Sequence, residues 1–454
     1  MIPILALAFS LIVPTFIGHQ LLRFIMRGER TAFLFSAALS YGLGMGILSY
    51  VMLILGMLGL TYSPWIIAFA LLVLSVLIFI SQSFLIRSHS VRSPEDKEER
   101  IFFASQNSIG WKLLSSVIYV FIAYYLTYIF WAALSLPIYT WDSMATSAYN
   151  AKILFFEGTL KAHHLFAHPS YPLQCPLILT WIALNVGEWN EQLMNIIFPL
   201  AFISFVAIFY AFLNQLTDAK KALLGVALLF SSNFIVHHAT ISYRDIFMMY
   251  YFCTAVFLLI LWHRKDSMPY LILASLFAGI GTFMKLEGTA YLVITSILLG
   301  FLLMKGKSKS LSVKCAALLR FFLPSISLWG IYYVYKMASG LPVSEYVEID
   351  VTNILARTLD ALKGFTYTLF FTANWNICWQ FLVITLIINL PKLRKDIILQ
   401  TLLLGLFLFL GFHFTLGIIS DKGGHITSID TLARLCLHAF PLVISLIIIP
   451  WEFF

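Results

Sequence analysis

Charged residues are scarce in this chain of 454 residues: only 11% are Asp, Glu, Lys or Arg, whereas 61% are hydrophobic. That balance excludes a soluble globular domain, in which roughly a quarter of the residues are charged. Apolar runs of about 20 residues recur along the chain, and a run of that length can cross a bilayer as a helix. The composition therefore predicts an all-α, polytopic α-helical membrane protein.

Cysteine is scarce as well, and the five cysteines are scattered, odd in number and mostly within apolar runs. This pattern predicts neither a disulfide framework nor a metal site with the usual ligand spacing. The 11 histidines contain no HExxH motif. The formal net charge of +8 does not indicate nucleic-acid binding, because the basic residues lie in short loops between apolar runs, as the positive-inside rule describes.

The apolar runs predict about 13 transmembrane helices. The first, Ile2 to Leu22, lacks a basic segment before it and a cleavage site after it, so we expect a retained span whose start lies outside the cytoplasm. The run Pro172–Val186 is short and opens with two prolines, which favours an interfacial or re-entrant helix. The predicted spans are residues 2–22, 32–58, 64–86, 113–137, 194–213, 221–239, 246–262, 269–284, 288–304, 315–335, 363–390, 397–419 and 433–449.

Charge distribution gives the orientation. With the chain's start outside, the inner segments hold 20 of the 29 basic residues and the outer segments hold 12 of the 21 acids. The polar stretch Ser88 to Arg100 indicates a cytoplasmic linker. We therefore expect two parts: residues 1–100, with three leading helices and this linker, and residues 101–454, a second transmembrane part whose long outer loop covers 138–193 and carries interfacial helices.

The outer loop begins with Trp141-Asp142, directly after an apolar run. A carboxylate at the membrane edge is costly and usually has a partner or a chemical role. The alternative is that Asp142 caps the helix expected to follow it. Both roles are compatible, and we interpret Asp142 as the centre of a site that faces away from the cytoplasm.

Two other short outer segments, each between predicted spans, carry charge. Arg244-Asp245 lies between two predicted spans, where it could also be an ordinary turn with a weak surface ion pair. Lys285 and Glu287 interrupt one long apolar run and could also be a simple hairpin turn ended by Gly288. Partial desolvation there would strengthen their charge interactions.

The last predicted span opens with Asp430, Arg434 and His438, which share one helical face. The alternative is a weakly stabilising pair along the helix. Because Arg434 and His438 lie within an apolar helix, we expect them to face a polar cavity, with Arg434 as a ligand for phosphate. Among the outer histidines, His168 is singled out because flanking proline fixes it near the membrane edge.

Five motifs, in this order, resemble those of the GT-C superfamily of membrane glycosyltransferases, in particular bacterial proteins similar to aminoarabinose transferase and protein O-mannosyltransferases. The resemblance covers roughly residues 113–449. The five motifs are Trp141 to Lys152, His168 to Leu173, Arg244-Asp245, Lys285 to Gly288 and Asp430 to Pro441. Two features depart from the family pattern: Leu286 replaces an expected Asn, and Thr431 to Ala433 separate Asp430 from Arg434.

The resemblance implies a polyprenyl-phosphate-linked sugar as donor and an envelope glycan, lipid or protein as acceptor, with no nucleic acid. It implies catalytic roles for Asp142 and Asp245. If a divalent cation such as Mg²⁺ or Mn²⁺ takes part, these two acids are its candidate ligands. The expected substrate-binding residues are Arg244, Lys285, Glu287, Arg434, His168, His438 and Tyr171.

These features together predict an inverting glycosyltransferase of the bacterial inner membrane, with its site facing the periplasm or exterior. One alternative is a multi-pass transporter or flippase, whose charges would line a substrate path. Another is a protein similar to O-antigen ligases or polymerases. The sequence determines neither the sugar nor the acceptor.

Overall fold

A computed structural model of the chain describes residues 2–86, 109–305, 310–341 and 348–451. It is 82% helical, and its described residues contain no strand beyond an isolated bridge between Ile349 and Ser420. The all-α, polytopic architecture is therefore confirmed. The predicted cytoplasmic linker Ser88 to Arg100 lies outside the described residues.

The chain begins with four long helices and then enters the loop 138–193, where the helices are shorter. In this loop, a π-helical turn, Ser143–Ser147, leads into α5, and a 3-10 turn, Leu160–Leu165, separates α5 from α6. The bounds are α1 Ile2–Ile25, α2 Phe33–Met57, α3 Pro64–Ile86, α4 Ile109–Ser135, α5 Ala148–Glu157, α6 Gln174–Val186 and α7 Glu191–Met194.

The second half of the chain is a bundle of long helices interrupted by short ones. A 3-10 turn, Ala373–Trp375, separates α15 from α16. The bounds are α8 Ile197–Leu216, α9 Ala219–Ser231, α10 Asn233–Thr240, α11 Asp245–Lys265, α12 Met268–Met284, α13 Glu287–Lys305, α14 Leu311–Ala338, α15 Ile354–Phe370, α16 Cys378–Ile388, α17 Leu390–Leu393, α18 Ile397–Ile419, α19 Gly423–Ile426, α20 Ile429–Leu437 and α21 Phe440–Ile448.

Within the described residues, nine helices are long and apolar enough to cross a membrane, or eleven if each of two bent pairs is one span. The pairs α9–α10 and α20–α21 bend by 73° and 58°. The expected number of 13 is not confirmed, because two predicted spans differ. Helix α12 has only 17 residues, and the segment 363–390 is not one helix.

The break within 363–390 has a local cause. Asn376 adopts a positive φ of 50°, and its side-chain amide donates to the carbonyl oxygen of Ser231 at 2.8 Å. The Ser232 hydroxyl donates to the carbonyl oxygen of Asn374 at 2.7 Å. These bonds attach the break to the bend between α9 and α10, so neither segment continues as a straight helix.

Helix α6, which covers the run proposed as interfacial or re-entrant, has 13 residues. At 1.5 Å per residue it is about 20 Å long, which is too short to cross the hydrocarbon core. Its residues 174–183 are all buried, and it packs against α1, α2 and α5. The Trp181 indole donates to the carbonyl oxygen of Ser10 at 2.9 Å. Direct contacts therefore join the leading helices to the remainder, and the division at residue 100 stays a prediction.

Helix α11 lies at the centre of the bundle. It packs against α8, α12, α13, α18 and α20, and its residues 245–262 are all buried. Its first residue is Asp245. A carboxylate therefore stands at one end of the most enclosed helix, where surrounding helices can place side chains against it.

The α12–α13 hairpin brings Lys285 and Glu287 to the same end of the bundle, and Gly288 permits its tight turn. The Gly288 amide donates to the carbonyl oxygen of Lys285 at 3.0 Å. A Cβ at Gly288 would overlap the carbonyl oxygen of Gly281, so the helices approach this closely only with glycine at that position.

We expect Gly288→Ala to separate α12 from α13 and to destabilise the protein by about 1–3 kcal/mol, as overpacking typically does. The measurement is thermal unfolding of purified protein in detergent. Gly300→Ala on the same helix is the matched control, because a Cβ there meets nothing within 4 Å. Equal unfolding temperatures for the two variants would contradict the assigned role of Gly288.

Candidate active site

Five charged side chains from distant parts of the chain form one continuous ion-pair network. The Arg434 guanidinium donates to Asp142 Oδ2 at 2.6 Å and to Asp245 Oδ2 at 3.2 Å. Lys285 Nζ donates to Asp245 Oδ1 at 2.9 Å and lies 3.4 Å from Glu287 Oε1. Asp245 is therefore the acid that joins the two cations.

Local structure explains why these residues meet. Asp245 begins the central helix α11, Lys285 and Glu287 lie at the α12–α13 turn, and Arg434 lies on α20. Asp142 immediately precedes the π-helical turn Ser143–Ser147, and its side chain makes no capping hydrogen bond to that turn. The capping alternative is thus not what holds the Asp142 carboxylate, which pairs with Arg434 instead.

Burial increases along this network from one acid to the other. The Asp142 side chain is 44% exposed, that of Arg434 24%, that of Lys285 11% and that of Asp245 0%. Ion pairs in a low-dielectric environment interact more strongly than exposed pairs, but each partner also loses its hydration. The Asp245 side chain is consequently held in place by its ion-pair partners, whereas the Asp142 side chain remains accessible to a substrate.

His438 completes the surroundings of Asp245: its Nε2 donates to Asp245 Oδ1 at 2.9 Å. The ring lies at the bend between α20 and α21 and is fully buried. Its Nδ1 lies 2.8 Å from the Tyr291 hydroxyl, which in turn lies 3.0 Å from Nε2 of His413. Sequence reasoning missed Tyr291 and His413; the available signal was a polar side chain inside each of two apolar helices.

An aromatic ring packs against Arg434. The Arg434 guanidinium lies 4.2 Å from the centre of the Tyr243 ring, a distance typical of a cation–π interaction. Partial burial, and then the negative charge of Asp142, raise the pKa of the Tyr243 phenol, so the phenol stays neutral beneath Arg434.

A second group contains the other three predicted residues. Arg244 lies 5.1 Å from the centre of the Tyr171 ring, and His168 stacks on Tyr171 at 4.9 Å with an interplanar angle of 24°. The structure therefore brings Arg244, Tyr171 and His168 together. Asp430, by contrast, is exposed, although it shares a short helix with Arg434.

The donor set does not resemble a metal site. Across the described ranges, no group of three or more His, Cys, Asp or Glu side chains is arranged to hold a metal ion. The guanidinium of Arg434 bridges Asp142 and Asp245, where a shared cation would have to lie. A divalent cation held by these acids stays a prediction that the arrangement does not favour.

Two buried nitrogen atoms of this region, Arg434 Nε and His238 Nε2, have no hydrogen-bond partner among the described residues. The His238 ring contacts that of Tyr243 at 5.8 Å. Buried polar atoms are normally paired, so both atoms are candidates for contact with a bound substrate.

Comparison with known families gives a match over the middle of the chain. The profile of the dolichyl-phosphate-mannose-protein mannosyltransferase family matches residues 170–332. The match supports a GT-C superfamily glycosyltransferase. It covers less than half of the chain, including Asp245, Lys285 and Glu287 but neither Asp142 nor Arg434. Searches of curated proteins and of solved structures gave no match.

The GT-C assignment and the ion-pair network agree on one point: the matched segment contains the buried acid and its lysine. The resemblance inferred from short motifs is thus confirmed for the superfamily, as is the coarser description of a membrane mannosyltransferase-like glycosyltransferase. The roles of individual residues are a separate matter and stay predictions.

We expect Asp245→Asn to destabilise the protein by about 3–5 kcal/mol, because it leaves Lys285 and Arg434 without their shared buried carboxylate. The measurement is thermal unfolding and size-exclusion profile in detergent. Asp360→Asn is the control, since its pair with Lys363 is exposed and spans 3.9 Å; such pairs contribute little. Similar stability for both variants would show that burial of Asp245 is not structurally important.

Proposed function

We propose that this GT-C glycosyltransferase moves a sugar from a polyprenyl-phosphate donor to a hydroxyl or amine of an envelope glycan, lipid or protein at the outer face of a bacterial inner membrane. The supporting observation is the Asp142–Arg434–Asp245 arrangement. It combines an accessible carboxylate with a guanidinium held in place by a second, fully buried carboxylate. A base and a phosphate ligand are thereby adjacent.

In the proposed mechanism Asp142 is the general base. A carboxylate within hydrogen-bond reach of the acceptor can remove its proton as the acceptor attacks the anomeric carbon. Asp142 is the most exposed acid of the network, so an acceptor can reach it. A single displacement assisted by one base inverts the configuration at the anomeric carbon.

Arg434 and Lys285 would stabilise the negative charge that grows on the departing polyprenyl phosphate. The network contains three carboxylates and two cations when His438 is neutral, so an additional phosphate requires a rearrangement. We infer that the donor phosphate replaces Asp142 as the partner of Arg434. Donor binding would then free Asp142 to act on the acceptor, so the donor would bind before the acceptor.

Asp245 has a different role in this mechanism. Its oxygens accept from Lys285, Arg434 and His438, which leaves it poorly placed to accept a proton from a substrate. It would hold both cations in position. Arg244, Tyr171 and His168 are proposed contacts for the sugar or phosphate, because a guanidinium and a stacked ring pair offer both charge and a flat apolar face.

Residence in the membrane follows from the proposed donor. A polyprenyl chain is apolar and remains in the bilayer, so the enzyme must take its substrate from the lipid phase. The charges that form the site gather at one end of the bundle. A transporter of the inverted-repeat type would instead place them near the middle of the membrane.

The test uses full-length protein in proteoliposomes with a panel of radiolabelled polyprenyl-phosphate sugars and extracted envelope acceptors. We expect one donor to lose its sugar to an acceptor. Asp142→Asn should lower transfer by about 10²- to 10⁴-fold, the range that a positioned base contributes, without loss of folding. A flippase would move the lipid and leave the sugar attached.

Asp430→Asn is the matched control, since it removes an exposed outer carboxylate near Arg434 in the chain. It should transfer at the wild-type rate. Full activity of Asp142→Asn would exclude Asp142 as the base, and a donor that keeps its sugar under all conditions would exclude transfer from the lipids tested.

The proposed orientation can be tested with a native cysteine. Cys315 is exposed and the other four cysteines are buried. Lys314 and Arg320 flank it, so the positive-inside rule places it at the cytoplasmic face. We expect a membrane-impermeant maleimide to label Cys315 only after sealed spheroplasts are permeabilised.

Lys161→Cys provides the opposite control, because residue 161 lies exposed in the long outer loop. It should react in sealed spheroplasts without permeabilisation. Labelling of Cys315 from outside, with protection of residue 161, would reverse the orientation and place the site in the cytoplasm.

A further inference from the structure

A chain of buried polar side chains runs from Asp245 into the apolar interior. It connects Asp245 Oδ1 to His438 Nε2 at 2.9 Å, His438 Nδ1 to the Tyr291 hydroxyl at 2.8 Å, and that hydroxyl to His413 Nε2 at 3.0 Å. His438, Tyr291 and His413 are 0%, 2% and 1% exposed. Polar groups inside membrane helices are costly, so the chain calls for a functional explanation.

Hydrogen-bonding rules allow two proton arrangements. In the first, His413 Nε2–H donates to the Tyr291 oxygen, the Tyr291 hydroxyl donates to His438 Nδ1, and His438 Nε2–H donates to Asp245. In the second, His438 carries a second proton and donates from both nitrogens, and Tyr291 donates to His413 Nε2. In both arrangements His438 donates from Nε2 to Asp245, and the Tyr291 hydroxyl connects the two imidazoles.

The hydrogen bond at one ring nitrogen of a histidine orients the other nitrogen. We propose that Tyr291 and His413 are positioning residues of the transferase, an inference that rests on the proposed function. They fix the ring of His438, and His438 then holds Asp245 between Lys285 and Arg434. Neither Tyr291 nor His413 touches the ion-pair network itself, so both would act through His438.

Packing alone is the competing explanation, and the chain offers substitutions that separate the two. The Tyr291 ring also packs on Phe252 and Phe409, with centroids 4.7 and 5.3 Å away. Tyr291→Phe keeps these ring contacts and removes only the hydroxyl. His413→Gln retains an N–H donor near the Nε2 position, whereas His413→Leu fills similar space without a donor.

We expect Tyr291→Phe and His413→Leu each to lower kcat by about tenfold, the effect of losing one oriented buried hydrogen bond, with little change in the apparent KM for the donor. Positioning of groups that act on developing charge affects the transition state more than substrate binding. His413→Gln should stay close to wild type. The double variant Tyr291→Phe/His413→Leu should be no slower than Tyr291→Phe alone.

Tyr62→Phe is the matched control. Its hydroxyl donates to the carbonyl oxygen of Met52 at 3.0 Å and is also buried, but Tyr62 lies between α2 and α3, and neither helix contributes a residue to the ion-pair network. Like Tyr291→Phe, the Tyr62→Phe substitution removes the hydrogen bond of one buried tyrosine hydroxyl. Wild-type kcat in this variant shows that loss of a buried tyrosine hydroxyl does not by itself slow transfer.

A spectroscopic readout does not depend on activity. Histidine-selective ¹⁵N labelling, with His438→Gln to assign the signal among the 11 histidines, reports the state of His438 Nδ1. We expect this signal to move in Tyr291→Phe and His413→Leu and to stay in place in His413→Gln and Tyr62→Phe.

Wild-type kcat in Tyr291→Phe, or equal effects of His413→Gln and His413→Leu, overturns the proposal. If wild-type protein transfers no sugar from any donor, the proposed function fails separately, and the nitrogen spectra decide the inference. An unchanged His438 Nδ1 signal in Tyr291→Phe then overturns it.

Discussion

The arrangement of the candidate site depends on one buried carboxylate. Asp245 is fully enclosed and accepts hydrogen bonds from Lys285, Arg434 and His438. An isolated carboxylate in that environment would be strongly unfavourable, and two unpaired cations would be as well. Their mutual compensation fixes the relative positions of α11, the α12–α13 turn and α20, so a single acid determines how three distant segments meet.

This constraint also separates the two acids of the site by environment. Asp245 is stabilised by hydrogen bonds from Lys285, Arg434 and His438, whereas Asp142 pairs with Arg434 through one oxygen and stays 44% exposed. Arg434 connects the two and rests on the Tyr243 ring. Paired carboxylates with unequal surroundings generally take unequal roles. In the proposed mechanism, Asp245 therefore positions the cations and Asp142 accepts the proton.

Several features of this organisation could be predicted from the sequence. Asp142, Asp245, Lys285 and Arg434 were identifiable because charge is so rare in this chain that each ionisable group at a helix end is informative. The spacing of Arg434 and His438 predicted a shared face, and both side chains do contact Asp245. The positions of α1, α2 and α11 agree with the apolar runs, because the length of a run determines whether a helix can cross a membrane.

Other features could not be predicted. The segment 363–390 reads as one apolar run, but hydrogen bonds from Ser232 and Asn376 divide it, and those partners are more than 100 residues apart. Tyr291 and His413 lie within apolar helices that carry other polar residues as well, and many tyrosines in such helices simply pack. What distinguishes them is the hydrogen-bond chain that runs from His438 through the Tyr291 hydroxyl to His413.

The sequence by itself determined that this protein is a helical membrane protein with acids and cations at its helix ends, because hydrophobicity and charge are properties of each segment alone. The tertiary structure decided that Asp245 is the buried acid and Asp142 the accessible one, and that His438 continues into a chain of buried hydrogen bonds. Those distinctions depend on which neighbours surround each side chain, and local sequence does not specify neighbours across the bundle.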